Sequence, residues 1–455
     1  MPHGWPQGRP EGRLQGRTEG RPGGRIIQPP AGRVLSLDGA GDPARPGAEN
    51  SQTALLLVLL LVLPMFGQSF HYMIDLPPLY FLSKGWPILT TPLALYALTR
   101  LSLPLQVLYG MLVAYVLGLT PLLSMIYFGT GLVDALATTA KTLPFLYYFS
   151  ALGLLLLLRP RPETVVRAIL WLGAATFILM ALLWVAVPAD FYKSDPAESK
   201  LFLFEAERGY RIFMPMFFGT IFLFYLTRRA FARQEIAAIL LLLVCFALMV
   251  LIYKQRTVIL AVLLTIGLIA LAASSGWRRG LLLLFGTAGA LLAAGLIYAH
   301  FLERIEAALG ASLTIRQLSI TIAADYVLSN PLVMWFGAGS VTRISDTNLQ
   351  MILGNAQFYL ADIGWLGIVF EYGLIGASLI LAVYVASLRR IRRIETATHY
   401  SMMTAALGDH IVFMLITSLV YSLVFTPGEM ATALALATYL ELHSDEQHEG
   451  TPGNS

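Results

Sequence analysis

Asp362 and Glu371 interrupt the otherwise apolar, glycine-rich run ADIGWLGIVFEYGLIGA. On a helix their separation sets them on opposite faces, about 13 Å apart along the axis, so they cannot act as a glycosidase-like carboxylate pair. Asp362, at the head of the run, can take a proton from a hydroxyl if it is positioned and partly desolvated. Its other role is as an N-cap for the helix that comes next. Glu371, inside the run, needs a polar partner or a ligand, and a structural partner is the preferred expectation. Cations form the second group. ERGYRIFMP spaces Arg208 and Arg211 to share one helical face at the start of an apolar segment, and YKQRTVIL packs Lys254 and Arg256 into a turn between two apolar runs. Arg316 comes later in the chain, and Lys193, Lys200, Arg304 and Arg343 fall on the same set of connections. Any one of them can snorkel to solvent. As a set they fit a phosphate-bearing ligand, because guanidinium forks grip phosphate bidentately.

The elements that must position these groups are membrane spans. The chain has 455 residues, 57% hydrophobic and only 13% charged, with a mean hydropathy of +0.69. A water-soluble protein carries roughly a quarter charged residues. Its apolar runs reach the ~18–20 residues a helix needs to cross a bilayer. The runs 54–74, 85–99, 104–128, 135–158, 165–188, 210–227, 236–253, 257–275, 280–300, 364–388, 407–426 and 428–442 predict an all-α multi-pass protein of about 12 transmembrane helices. The basic clusters RPRPETVVR, RRAFAR, GWRRG and LRRIRR then all fall on one side, which the positive-inside bias assigns to the cytoplasm together with both termini. The opposite side carries the connection 189–209 and one large loop, 301–363. In that loop HFLERIEAALGASLTIRQLSITIAADYVL predicts one or two interfacial helices, SNPL a break and FGAGS a glycine turn.

The chain thus divides into three domains: a Gly/Arg/Pro-rich tail 1–50, a transmembrane body 51–442 containing loop 301–363, and a tail 443–455. Gly-Arg recurs every four residues from Gly8 to Arg25, a composition too polar to fold alone, and it is read as a basic cytoplasmic tail rather than a nucleic-acid-binding one. No cleavable signal peptide is expected, since the first apolar run starts near Ala54. The single cysteine, Cys245, lies mid-run and excludes disulfides. His71, His300, His399 and His410 have no metal-ligand spacing; His300, at the outer mouth of a span, is read as an interface residue. LPPLYFLSKGW is an aromatic outer connection suited to interface anchoring. FGAG is too short for a nucleotide loop, and no ATP-driven mechanism is implied.

Several of these stretches resemble one family. Arg316, NPLVMWFGAG (330–339) and GIVFEYGLIGASLIL (367–381) resemble the large outer loop and succeeding helix of the O-antigen ligase and polymerase superfamily. YKQRTVILAVLL resembles its Ser-Arg-Thr-type turn, with Gln255 in place of Ser, and ERGYRIFMP its Arg-bearing outer segment. The likeness covers about residues 200 to 385. It implies a bundle with one large periplasmic loop in the bacterial inner membrane. The implied enzyme is a metal-independent glycosyltransferase that uses no cofactor and moves a glycan from undecaprenyl diphosphate to an acceptor sugar. Arg256 and Arg316, then Arg208 and Arg211, with Lys254 beside them, are the implied diphosphate ligands. Where ligases of this family place a His-Asn pair, this chain has Asp362. That is more like the polymerases of exopolysaccharide or O-antigen repeat units, and Asp362 becomes the implied catalytic base. A flippase and a chain-length regulator are the implied partners, with membrane lipid and no nucleic acid. The alternatives are a ligase acting on a lipid or protein acceptor and, from another class, a lipid-linked oligosaccharide flippase or secondary transporter. A transporter should show paired halves and interrupted helices with midplane charges. The sequence has no clear internal repeat.

Overall fold

The computed structural model describes residues 46–449 except 196–197, 207, 285, 290–309, 342–348, 350–352, 354–357 and 399. The tail to residue 45, His300, Arg304, Arg343, His399 and the last six residues therefore lie outside the described residues. Contacts divide the chain after Glu49, and the larger unit, from Asn50 onward, holds the helical bundle. Its helices are α1 (Pro46–Phe66), α2 (Pro77–Leu89), α3 (Thr91–Arg100), α4 (Gln106–Phe128), α5 (Leu132–Lys141), α6 (Leu143–Leu158) and α7 (Pro162–Ala186). A hairpin, β1 (Phe202–Glu205) and β2 (Gly209–Ile212), precedes α8 (Phe217–Arg233), α9 (Ile236–Tyr253) and α10 (Arg256–Ala273). The last elements are α11 (Gly310–Ser329), α12 (Pro331–Phe336), α13 (Gly364–Ala397), α14 (Ser401–Thr417) and α15 (Pro427–Glu449). Every residue from Met430 to Leu440 is buried. A helix apolar all round is the centre of a bundle, and α15 packs on α6, α13 and α14.

Among the described residues five helices are long and apolar enough to cross a membrane: α4, α7, α9, α10 and α13; the pair α5–α6, bent by 52°, makes six if taken as one span. This is fewer than the twelve expected, and local chemistry explains several of the losses. The expected span 54–74 stops at Phe66, because Gln68 turns the chain with φ 52°. The span 85–99 divides at Thr90 between two helices that each begin with Pro at N1 or N2. The span 407–426 ends at Thr417, and α15 starts only at Pro427 and runs on to Glu449. The span 210–227 opens as a strand, and its helix starts beyond Pro215 at Phe217. Arg208 and Arg211 thus do not share a helical face: Arg208 sits in the hairpin turn, and Arg211 faces Leu203 across the ladder. Residues 290–300 of one expected span are outside the described residues.

Charge collects at two opposite ends of the same helices. At one end Asp409 of α14, 2% exposed, accepts from Arg228 at 2.5 and 2.9 Å and from Arg392 at 2.8 Å. Glu395 accepts from the same two arginines, and Arg390 pairs with Glu441 at 2.5 Å. Tyr400 donates to Glu163 and Tyr439 to the Pro160 carbonyl. Residues of the clusters at 159–167, 228–233 and 388–393 thus lie at one end of the bundle. The 34 residues of α13 separate this end from Asp362 by about 50 Å of helix.

α13 is broken. Gly373 has φ 63° and ψ −178° inside it, a conformation open essentially to glycine alone. The freed carbonyls are taken up by the FGAG turn. Ala338 N–H donates to Phe370 O at 2.8 Å and Gly339 N–H to Glu371 O at 3.2 Å. The Tyr115 hydroxyl, on the π-turn of α4, donates to Phe336 O and Tyr372 O at 3.0 and 2.9 Å. SNPL acts as expected, with the Asn330 side chain capping α12. A Cβ on Gly373 would stand 2.3 Å from Trp335 O, a backbone atom that cannot move aside. Gly373→Ala should therefore lose most of the folded, monodisperse protein in size-exclusion chromatography. Gly85→Ala, with nothing within 4 Å, should not.

Candidate functional site

Glycine and proline punctuation places the site. Asp362 ends a 3-10 turn, Leu360–Asp362, and Gly364 at φ 52° begins α13. The segment between α14 and α15 returns past this point. Ser422 N–H donates to Ala361 O at 3.0 Å, and Trp365 Nε1 donates to Ser418 Oγ at 3.0 Å. This pins Tyr421 beside Asp362. The Arg316 guanidinium of α11 lies 5.8 Å from the Tyr421 ring centroid, a cation–π distance. Arg211 donates from Nη1 to Gln255 Oε1 at 2.7 Å, and Gln255 Nε2 donates to the Tyr421 hydroxyl at 2.9 Å. Arg211, Gln255, Tyr421 and Arg316 thus form one continuous group contributed by four segments of chain, and Asp362 stands within the electrostatic influence of Arg316.

Its electrostatics are those of a charged site partly withdrawn from water. Burial pushes the Asp362 carboxyl above its ordinary range, and Arg316 pulls it back. No Lys or Arg within 4 Å neutralises it among the described residues. Burial lowers Arg211, opposed by its ion-pair partner Glu205. Arg211 is only 7% exposed, and Glu205 offsets part of its charge.

The other expected ligands sit differently. Lys254 is turned to the hairpin, donating to Arg208 O at 3.0 Å and Tyr210 O at 2.9 Å with the Trp184 ring 5.5 Å away. Arg208 pairs with Glu205 at 3.3 Å. These two hold the hairpin that presents Arg211. Arg256, the first residue of α10 and next in chain to Gln255, is exposed and has no ion-pair partner among the described residues. The Lys200 and Leu201 amides are held by Asp75 at 3.1 and 3.0 Å. Cys245 is buried, as expected of a packing residue.

Glu371 has its partner. It pairs with Lys141, accepts from Ser340 Oγ at 2.7 Å and keeps Oε2 buried without a hydrogen bond. Lys141 ends α5 at the bend of one span, and Glu371 stands two residues before the break in another. The ammonium also lies 5.2 Å from the Phe425 ring centroid, within the same segment as Tyr421.

Tyr421 and Lys141 escape a reading of the sequence because each lies inside an apolar run, 407–426 and 135–158, that length alone marks as a span. A lysine and Pro144 within 135–158, and the polar TSLVYS stretch within 407–426, are the available signals. No protein-family model and no curated protein sequence matches this chain.

Proposed function

We propose that the protein is a membrane glycosyltransferase that polymerises undecaprenyl-diphosphate-linked oligosaccharide units into an exopolysaccharide or O-antigen. The observation that carries this is the group at Tyr421: two arginines and a carboxylate of raised pKa converging at one end of an apolar bundle. In the reaction, the acceptor hydroxyl oxygen bonds to the anomeric carbon of the donor glycan as the bond from that carbon to the diphosphate oxygen breaks. Asp362 takes the hydroxyl proton. Arg211 and Arg316 offset the charge that grows on the departing undecaprenyl diphosphate, with Arg256 at the exposed rim. The Tyr421 end then faces the periplasm, and the Asp409 end, with both termini, faces the cytoplasm of the inner membrane. A flippase supplies the units and a chain-length regulator acts on the product.

Deleting the protein tests this through the glycan length profile. Single or very short repeats on the cell surface support a polymerase. Loss of all glycan from its acceptor supports the ligase alternative and overturns polymerisation.

A carrier of lipid-linked oligosaccharide is the second reading, and one observation favours it. Two spans are interrupted, and the breaks are joined by the pair of half-buried Lys141 and buried Glu371, the combination expected of transporters.

A further inference from the structure

Glu429 and its surroundings are unused by the chemistry above. It lies in the first turn of the 23-residue α15, where a carboxylate is favoured by the helix dipole. Its carboxylate is 19% exposed and therefore reachable, and it has no Lys or Arg within 4 Å among the described residues. Behind it His410 is fully buried, with Nδ1 2.9 Å from Thr220 Oγ1 and Nε2 3.4 Å from Glu429 Oε2 but without a hydrogen bond. On the other side Gln68 accepts from Gly428 N–H at 2.7 Å, while its Nε2, buried, has no partner. Gln68 has φ 52°, a strained conformation for a non-glycine residue. The Tyr147 ring lies against Gly428, and its buried hydroxyl is also without a partner. Buried polar groups are normally satisfied, so several unsatisfied ones around a single half-buried carboxylate mark a place for a polar ligand.

The chemistry selects the ligand class. A carboxylate set beside an uncharged amide, a phenol and an imidazole edge, with the nearest ammoniums farther out over the Tyr72 ring at 5.2 and 5.7 Å, offers no ring of oxygens for a metal. It matches a neutral group with several hydroxyls. The Tyr72 hydroxyl donates to Phe425 O at 2.9 Å, in the turn that leads into α15. We propose that the first turn of α15 binds one sugar ring of the glycan, with Glu429 accepting a ring hydroxyl and the Gln68 amide donating to another. This rests on the glycan-transfer reading and adds to it the place where sugar, as distinct from diphosphate, is held.

The test measures both direct binding of an undecaprenyl-diphosphate-linked unit and transfer by the purified protein. Glu429→Gln should weaken binding and raise KM roughly tenfold, the loss expected for a hydrogen bond to a charged group, while kcat and thermal stability stay near wild type. Gln68→Leu should move KM the same way by less. If the wild type transfers glycan and both variants keep its KM, the sugar site is overturned and the transferase stands. If the wild type binds but transfers nothing, the transferase falls, and weaker binding by Glu429→Gln still upholds the sugar site. Loss of folded protein in both Glu429→Gln and Glu429→Asp overturns the proposal by making the carboxylate a structural group.

Discussion

Asp362→Asn should reduce polymer formation by about 10² to 10⁴, the range for losing a general base, while leaving the protein at least as stable as wild type. Both halves stem from its surroundings. Burial raises the carboxyl above its ordinary range, with Arg316 as the main opposing influence, so the folded state disfavours the ionised form. For such a group the stabilising contribution is complete below the unfolded pKa and is lost as pH rises through the higher folded pKa. At neutral pH the charge is therefore a burden on stability, and the neutral Asn removes it. Transfer in the wild type should rise with pH through a value above the usual carboxylate range, since only the ionised form accepts a proton. Arg316→Gln should move that limb further upward. The side chain caps no described residue of α13: its helix has no side-chain cap bond. Normal chain synthesis by the Asn variant would remove Asp362 from the chemistry.

Asp409→Ala should lower stability by about 3–5 kcal/mol, the usual result of removing one partner from a buried charge cluster. The carboxylate is 3% exposed and faces Arg228, whose side chain is 20% exposed, and Arg392 at 38%. Without it Arg228 keeps only Glu395. Arg392 is nearer water and suffers less. Thermal unfolding in detergent should show the drop, and Arg228→Met combined with Asp409→Leu should recover part of it by exchanging an ion pair for apolar packing. An Asp409→Ala protein as stable as wild type would mean that the arginines reach water at this end.

The long spans are legible because length and composition determine them: the apolar runs 165–188, 236–253 and 364–388 fall on the helices Pro162–Ala186, Ile236–Tyr253 and Gly364–Ala397. The breaks are not. Gly373 is forced out of helical geometry by the approach of Trp335 and Gly337, contacts that no local pattern announces. The hairpin carries its own signal in LFLFEAERGYRIF, alternating residues around a glycine turn. It merges into an expected span because the apolar stretch beyond it dominates. The site shows the same division. Arg211, Arg316 and Asp362 stand out as charges at the edges of apolar runs. Tyr421 belongs to the segment that joins α14 to α15 and Glu429 to the first turn of α15, and their meaning comes only from what the fold brings against them.

The most direct measurement uses purified protein in lipid vesicles with undecaprenyl-diphosphate-linked units as the only saccharide. Transfer predicts a ladder of chains longer than one unit, release of undecaprenyl diphosphate in step with each bond formed, and loss of both in Arg316→Ala. Units that cross the vesicle membrane unchanged, with no bond formed, would contradict the transferase and establish the carrier.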